Sequence, residues 1–189
     1  MANANAPCGF SPVRHKSGGQ IRISNYTIAS GYAANLGRGD PVELTGTGKN
    51  IQAAAGGNVD NLGIFAGVEY TDAQGQRQYS GYWASGTVGT DIVASVWDDP
   101  MIVFEVQGDS VAEGDIGALA DWTLGTPSAV LERSTTSLAV DAATGTTGKS
   151  IRLLGLVQRA NNNYGAYAKI ECVFAEHALL TGAAGAAGV

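Results

Sequence analysis

Apolar and polar positions alternate with a period of two along much of the chain, whereas the 3.6-residue period of an amphipathic helix is nearly absent. The pattern predicts strands over 21–28, 41–44, 49–53, 62–70, 77–83, 91–96, 101–107, 128–131, 150–158 and 166–175, each bounded by Gly, Asn, Asp or Pro. Two hairpins stand out. In one, 62–70 returns through 71–76, which holds Asp72 and Gly75, into 77–83, where Tyr79 and Trp83 mark one buried face. In the other, 150–157 returns through Asn161, Asn162, Asn163, Tyr164 and Gly165 into a strictly alternating arm at 167–174.

The 27 glycines are dispersed rather than gathered in a linker, the punctuation of many short strands joined by tight turns. Residues 111–122 are the one stretch with any helical character, and Gly114 and Gly117 weaken it by about 1 kcal/mol each, leaving a loop or a single turn. Residues 1–20, with Pro7, Gly9, Pro12, Gly18 and Gly19, read as an extended N-terminal arm. Residues 21–178 read as one β-domain, and 179–189 as a flexible Gly/Ala-rich tail. Strands without interleaved helices exclude a βαβ fold. They predict an all-β architecture, a β-sandwich or jelly-roll-like barrel of short antiparallel strands.

Composition sharpens this picture. Of 189 residues 44% are hydrophobic, enough for a real core, but only 15% are charged, so much of the exterior is neutral, as in proteins that spend their lives against other protein. A formal net charge of −6, with only 11 Lys and Arg spread along the chain, argues against nucleic acid as a partner. Neither a secretory signal nor a membrane-spanning run is legible, so synthesis and retention in a cytosol, or release by lysis, is expected. Cys8 and Cys172 read as a free and a buried thiol, with a disulfide as the alternative if the arm folds back beside the last strand.

Catalytic chemistry is hard to assemble from these residues, and no enzyme, cofactor or metal is expected. His15 lies between Arg14 and Lys16 in a solvated or interfacial basic cluster, and His177 reads as a strand-end residue, placed by odd spacing on the face opposite Cys172. The run 144–150, Thr-Gly-Thr-Thr-Gly-Lys-Ser, is similar to a phosphate-binding loop. Ala143, however, takes the place of its first glycine, and a strand-like stretch follows where a helix is needed. Asp98, Asp99, Glu105, Asp109, Glu113 and Asp115 are oxygen donors that suit calcium but lack the spacing of an EF-hand, and read as solvated turn carboxylates. The tripeptide Arg38-Gly39-Asp40 matches an adhesion motif, yet Asp40-Pro41 reads better as a turn opening a strand. Asn25-Tyr26-Thr27 is a glycosylation acceptor only in a secreted protein. Among the aromatics, Trp83 and Trp97 fit the core, and Trp122, in a glycine-flanked loop, is the better candidate for a surface aromatic that stacks on a sugar, with core packing or a subunit contact as the alternative.

Several segments in order along the chain carry a resemblance. They are Met1 to Pro7 with Gly9-Phe10 and Pro12-Val13-Arg14-His15, then Gly39-Asp40-Pro41-Val42, residues 62–70, Tyr82-Trp83, Asp98-Asp99-Pro100, and Tyr167-Ala168-Lys169-Ile170 with His177. In these the chain resembles the head decoration, or capsid cement, proteins of tailed bacteriophages, although the family's phenylalanine-rich opening is replaced here around Cys8. The resemblance implies a homodimer or homotrimer made in the host cytoplasm and bound to the outer surface of the virion, where it stabilises contacts between major capsid protein subunits. On that reading Phe10, Val13, Arg14 and His15 are the arm's contacts with the capsid, and deleting 1–20 leaves a folded domain that binds poorly. The alternatives are a phage tail or fibre component, against which the lack of internal repeats counts, and a carbohydrate-binding β-sandwich module.

Overall fold

The computed structural model describes residues 3–57, 60–139 and 149–179. The phosphate-loop-like run up to residue 148 and the tail beyond 179 therefore lie outside the described residues. Along the described chain the strands are β1 Ser11–His15, β2 Ser24–Tyr26, β3 Leu36–Gly37, β4 Pro41–Leu44, β5 Ile51–Ala53, β6 Asn61–Thr71, β7 Arg77–Ser80, β8 Tyr82–Trp83, β9 Thr90–Trp97 and β10 Ile102–Gln107. They continue as β11 Ser110–Val111, β12 Leu119–Thr123, β13 Ser137–Ala139, β14 Ile151–Leu156, β15 Gly165–Ala166 and β16 Lys169–Phe174. A 3-10 turn at Glu113–Asp115 is the sole helical element among them, in the stretch expected to be a loop or a single turn.

The fold is all-β and sandwich-like, as the pattern predicts. One six-stranded sheet runs β1-β10-β16-β14-β12-β13, and the other is built on β2-β9-β6-β4-β5 with β7 added alongside β6. Pairings within both sheets are antiparallel. Both expected hairpins form, β6 with β7 and β14 with β16.

Sheet edges and cores follow from side-chain parity. Phe104, Val106, Ile170, Cys172, Leu153 and Ile151 point from the first sheet onto Ile64 and Trp97 of the second, making the core between the layers. A second core lies on the far side of the second sheet, where Leu62, Phe65, Val68, Ala94 and Val96 pack with Leu36 and Trp83. Strand β6 serves both cores because successive side chains, such as Ile64 and Phe65, point to opposite faces, and register shifts opposite Val42/Glu43 and between Phe65 and Gly67 change that parity along the strand. A strand buried on both faces reads as a continuous apolar run, which is what 62–68 looks like in sequence.

Several expectations need correction. The segment 1–20 is extended, but what is described of it is no free arm. Asn3 donates to the carbonyls of Asn163 and Ala166, Ala6 N–H donates to Gln107, and β1 closes the edge of the first sheet against β10. Residues 128–131 are a turn rather than a strand, and they expose Val130 and Leu131 to solvent. Tyr79 does not share a buried face with Trp83. The strand breaks at Gly81, and Trp83 leaves β6 to pair with Leu36, so Trp83 is fully buried while Tyr79 is 73% exposed. Strands β1, β3, β11, β12 and β13 were not anticipated, being short, glycine-bounded or hidden in polar context.

Docking of the N-terminal segment has an energetic consequence. The Phe10 side chain, 1% exposed, meets Trp122 edge-on at 5.9 Å and stacks near Phe174 at 6.4 Å, at the centre of an aromatic cluster. Phe10→Ala is expected to cost about 3–5 kcal/mol, the usual range for emptying a buried aromatic site. Deletion of 1–20 is therefore expected to unfold the domain or lower its denaturation midpoint steeply in urea. A truncated chain with an unchanged midpoint would restore the free-arm picture.

His177 adds a pH dependence. Its ring is 1% exposed, packs edge-on against Phe174 at 5.5 Å, and accepts a hydrogen bond at Nδ1 from the Leu179 amide. Burial pushes its pKa down to about 4, against the pull of Asp98 and Asp99. The neutral form is thus the folded form, and the unfolded chain takes up a proton at a higher pH. Stability from this group is whole above pH 6.5 and drains away as pH falls toward 4, by up to about 3 kcal/mol. Urea titrations between pH 6.5 and 5 are expected to show this loss in the wild type and not in His177→Phe; parallel curves would refute it.

Candidate interaction surface

The aromatic and basic residues singled out from sequence divide between core and edge. Phe10 and Trp122 are brought together, but inside the protein. Trp122 is 3% exposed, and its indole N–H donates to the Ala54 carbonyl at 3.1 Å, so it is not the surface aromatic expected of it. Its flanking glycines misled; β12 pairs on both sides, with β13 and β14, and carries the ring inward. Val13, Arg14 and His15 lie on edge strand β1. Val13 is 44% exposed, Arg14 pairs with Glu171 at 2.5 Å, and His15 Nε2 meets Asp99 at 3.1 Å while Nδ1 faces Ser17. Partial burial works against the Asp99 carboxylate, but the Met101 amide and His15 outweigh it and hold its pKa below the usual range. The basic cluster is thus largely spent within the chain.

Other acids expected to be solvated are also engaged singly. Asp98 is buried and accepts from Ser24 and Tyr26, Glu105 pairs with Arg159, and Asp115 accepts from the Ala112 amide. Among the described residues no group of three or more His, Cys, Asp or Glu side chains gathers as metal ligands would. Both cysteines are free thiols, and burial pushes that of Cys172 far up, away from the nucleophilic thiolate.

An open groove of about 920 Å³ lies instead where the first sheet stops and the second continues. Phe10 and the start of β1, Ser11 and Pro12, form one wall, Gly67, Ser95 and Trp97 form the floor, and Tyr79 and Leu131 stand on the opposite side. Small residues on the floor leave the space empty. Ile23, Tyr79 and Leu131 along it are 52%, 73% and 60% exposed, which gathers three large apolar side chains on one concave surface.

Arg38 reaches into this groove with its guanidinium over the Trp97 ring, 5.5 Å from the centroid. Its backbone is held from both sides, since its N–H donates to the Gly81 carbonyl at 2.8 Å and its carbonyl accepts from the Ser134 amide at 2.9 Å. The anchor beneath is Asp40. This carboxylate, 1% exposed, accepts from the Gly37 amide at 2.7 Å, from Thr136 Oγ1 at 2.9 Å, and from Ser134 Oγ. Burial raises its pKa, while these three donors pull the other way. Around it the packing tolerates no side chain: a Cβ on Gly37 would fall 2.5 Å from Pro127, and Gly9, at φ +71°, would press on Ser134 at 2.5 Å. The adhesion-like tripeptide is therefore a structural turn whose aspartate is hidden and whose arginine is displayed.

Sequence reasoning missed Arg38, Trp97, Tyr79, Leu131 and Arg133 as a group, because four separate segments supply them. Comparison with known proteins finds no matching family model, no matching curated protein and no matching solved structure.

Asp40→Ala is expected to destabilise the fold by about 2–3 kcal/mol, the cost of stranding buried donors. Urea denaturation measures this, and an unaltered midpoint would show that the network carries no weight.

Proposed function

We propose that this chain is a structural virion protein of the head decoration, or cement, class, acting on the outer surface of a bacteriophage capsid rather than as an enzyme. The observation that carries the reading is the groove with its exposed apolar rim of Ile23, Tyr79 and Leu131, set in a protein of which only 15% of residues are charged. Such a surface suits adhesion to protein, and the segmental resemblance to decoration proteins points to the major capsid protein as the partner. Binding as a homodimer or homotrimer would multiply modest contacts, since a symmetric lattice turns weak sites into avidity. The acidic body suits a place outside the shell, away from packaged DNA.

The carbohydrate-binding alternative loses support from the burial of Trp122, its intended platform. Purified chain mixed with undecorated capsids is expected to co-sediment saturably, at a copy number fixed by the shell's symmetry, and to raise the temperature at which the shells break. Failure to pellet with capsids would overturn the reading.

A further inference from the structure

Four charged groups line the groove, and they are not alike. Both carboxylates are already engaged: Glu69 pairs with Arg77 at 2.9 Å, and Glu132 accepts from Ser80 Oγ at 3.0 Å and from the Gly81 amide at 3.1 Å. Both guanidiniums, of Arg38 and Arg133, are exposed and have no carboxylate partner among the described residues. The two arginines are backbone neighbours, joined by a β-bridge, and both line the groove. Exposed arginines are solvated by water, yet these two are the cations on the groove's walls, so the chemistry the groove offers an occupant is that of a guanidinium site for a carboxylate.

The shape of the groove narrows what that is. Its floor of Gly67, Ser95 and Trp97 runs beside β1, and β10, which pairs with β1 from the other side, contributes no residue to it. An extended polypeptide laid there would continue the first sheet past its edge strand. Pro12 has no N–H and blunts that edge, so side chains rather than a full backbone ladder must hold the occupant. The rings of Trp97 and Tyr79 and the Leu131 side chain offer apolar contact along the way, and the arginine pair offers a two-pronged seat for a carboxylate.

We propose that the groove receives an extended segment of the capsid shell protein, anchored by an Asp or Glu side chain held between Arg38 and Arg133. This rests on the capsid-binding function proposed above and names where, and by what chemistry, the shell is gripped. Nucleic acid is disfavoured as the occupant by the net charge of −6 and the small number of cations available for a phosphate backbone.

The test uses the full chain and undecorated capsids. The Arg38→Glu, Arg133→Glu double variant, checked for an unchanged urea midpoint, is expected to bind capsids about tenfold or more weakly, the loss of one or two charge-assisted hydrogen bonds. A photo-crosslinking phenylalanine analogue at Tyr79, on the groove and 73% exposed, is expected to label a capsid-protein peptide containing Asp or Glu. The same analogue at Val88, 67% exposed and outside the groove, is expected to leave the capsid protein unlabelled. Wild-type binding with undiminished binding of the double variant, or with a Tyr79 crosslink only to another copy of this chain, overturns the groove while leaving the function standing. Absence of wild-type binding overturns both.

Discussion

A single buried carboxylate holds this fold at its crossing point. Asp40 ties the turn after β3 to the 134–136 segment through two hydroxyls, and it fixes the Gly37 amide on its own side of the turn. Backbone bonds radiate from the same spot: Phe10 N–H to Gly39, Gly39 N–H to Phe65, Phe65 N–H to Asp40, and Gly9 N–H to Thr136. Four stretches remote in sequence thus meet around one charge that water does not reach. Burying an acid is unfavourable in itself, and it is tolerated only where donors surround it. The reward is geometric, because both the seat of Phe10 in the aromatic core and the projection of Arg38 into the groove follow from the same turn.

The groove in turn follows from how the two sheets end. The first sheet stops at β1, whereas the second carries on beneath it through Gly67 and Ser95. A protein with more surface charge would fill such a step with long solvated side chains. Here small residues leave it open, and four of the cations elsewhere, Arg14, Arg77, Lys149 and Arg159, are each paired with an acid. Within the groove, Arg38 and Arg133 supply the positive charge.

What the sequence made legible was whatever depended on neighbours along the chain. Period-two alternation located β4 to the residue, and β6, β9, β10, β14 and β16 to within a few, because side-chain parity is a local property. Burial of particular rings was another matter. Phe10 sits in a Pro- and Gly-rich stretch that looks like a solvated arm, and Trp122 sits among glycines; each is drawn inward by partners at Phe104 and Phe174 that no window around it contains. Tyr79 errs the other way, since alternation continues in sequence across Gly81 while the backbone there changes partners. The groove was invisible for the same reason, being assembled from side chains that only tertiary structure brings together.

Stitching the start of the chain to strands near its end also constrains how the protein is born. On the ribosome β1 emerges well before its ladder partner β10, and the ring of Phe174 against which Phe10 stacks arrives later still. No early hydrophobic nucleus can retain this segment, so it must wait as nascent chain while the second sheet, whose strands are contiguous in synthesis, takes shape. Closure of so many long loops makes for slow maturation with unpaired edges on display. Dispersed glycines and a lone edge proline are then as much a safeguard against neighbouring nascent chains as a feature of the finished molecule.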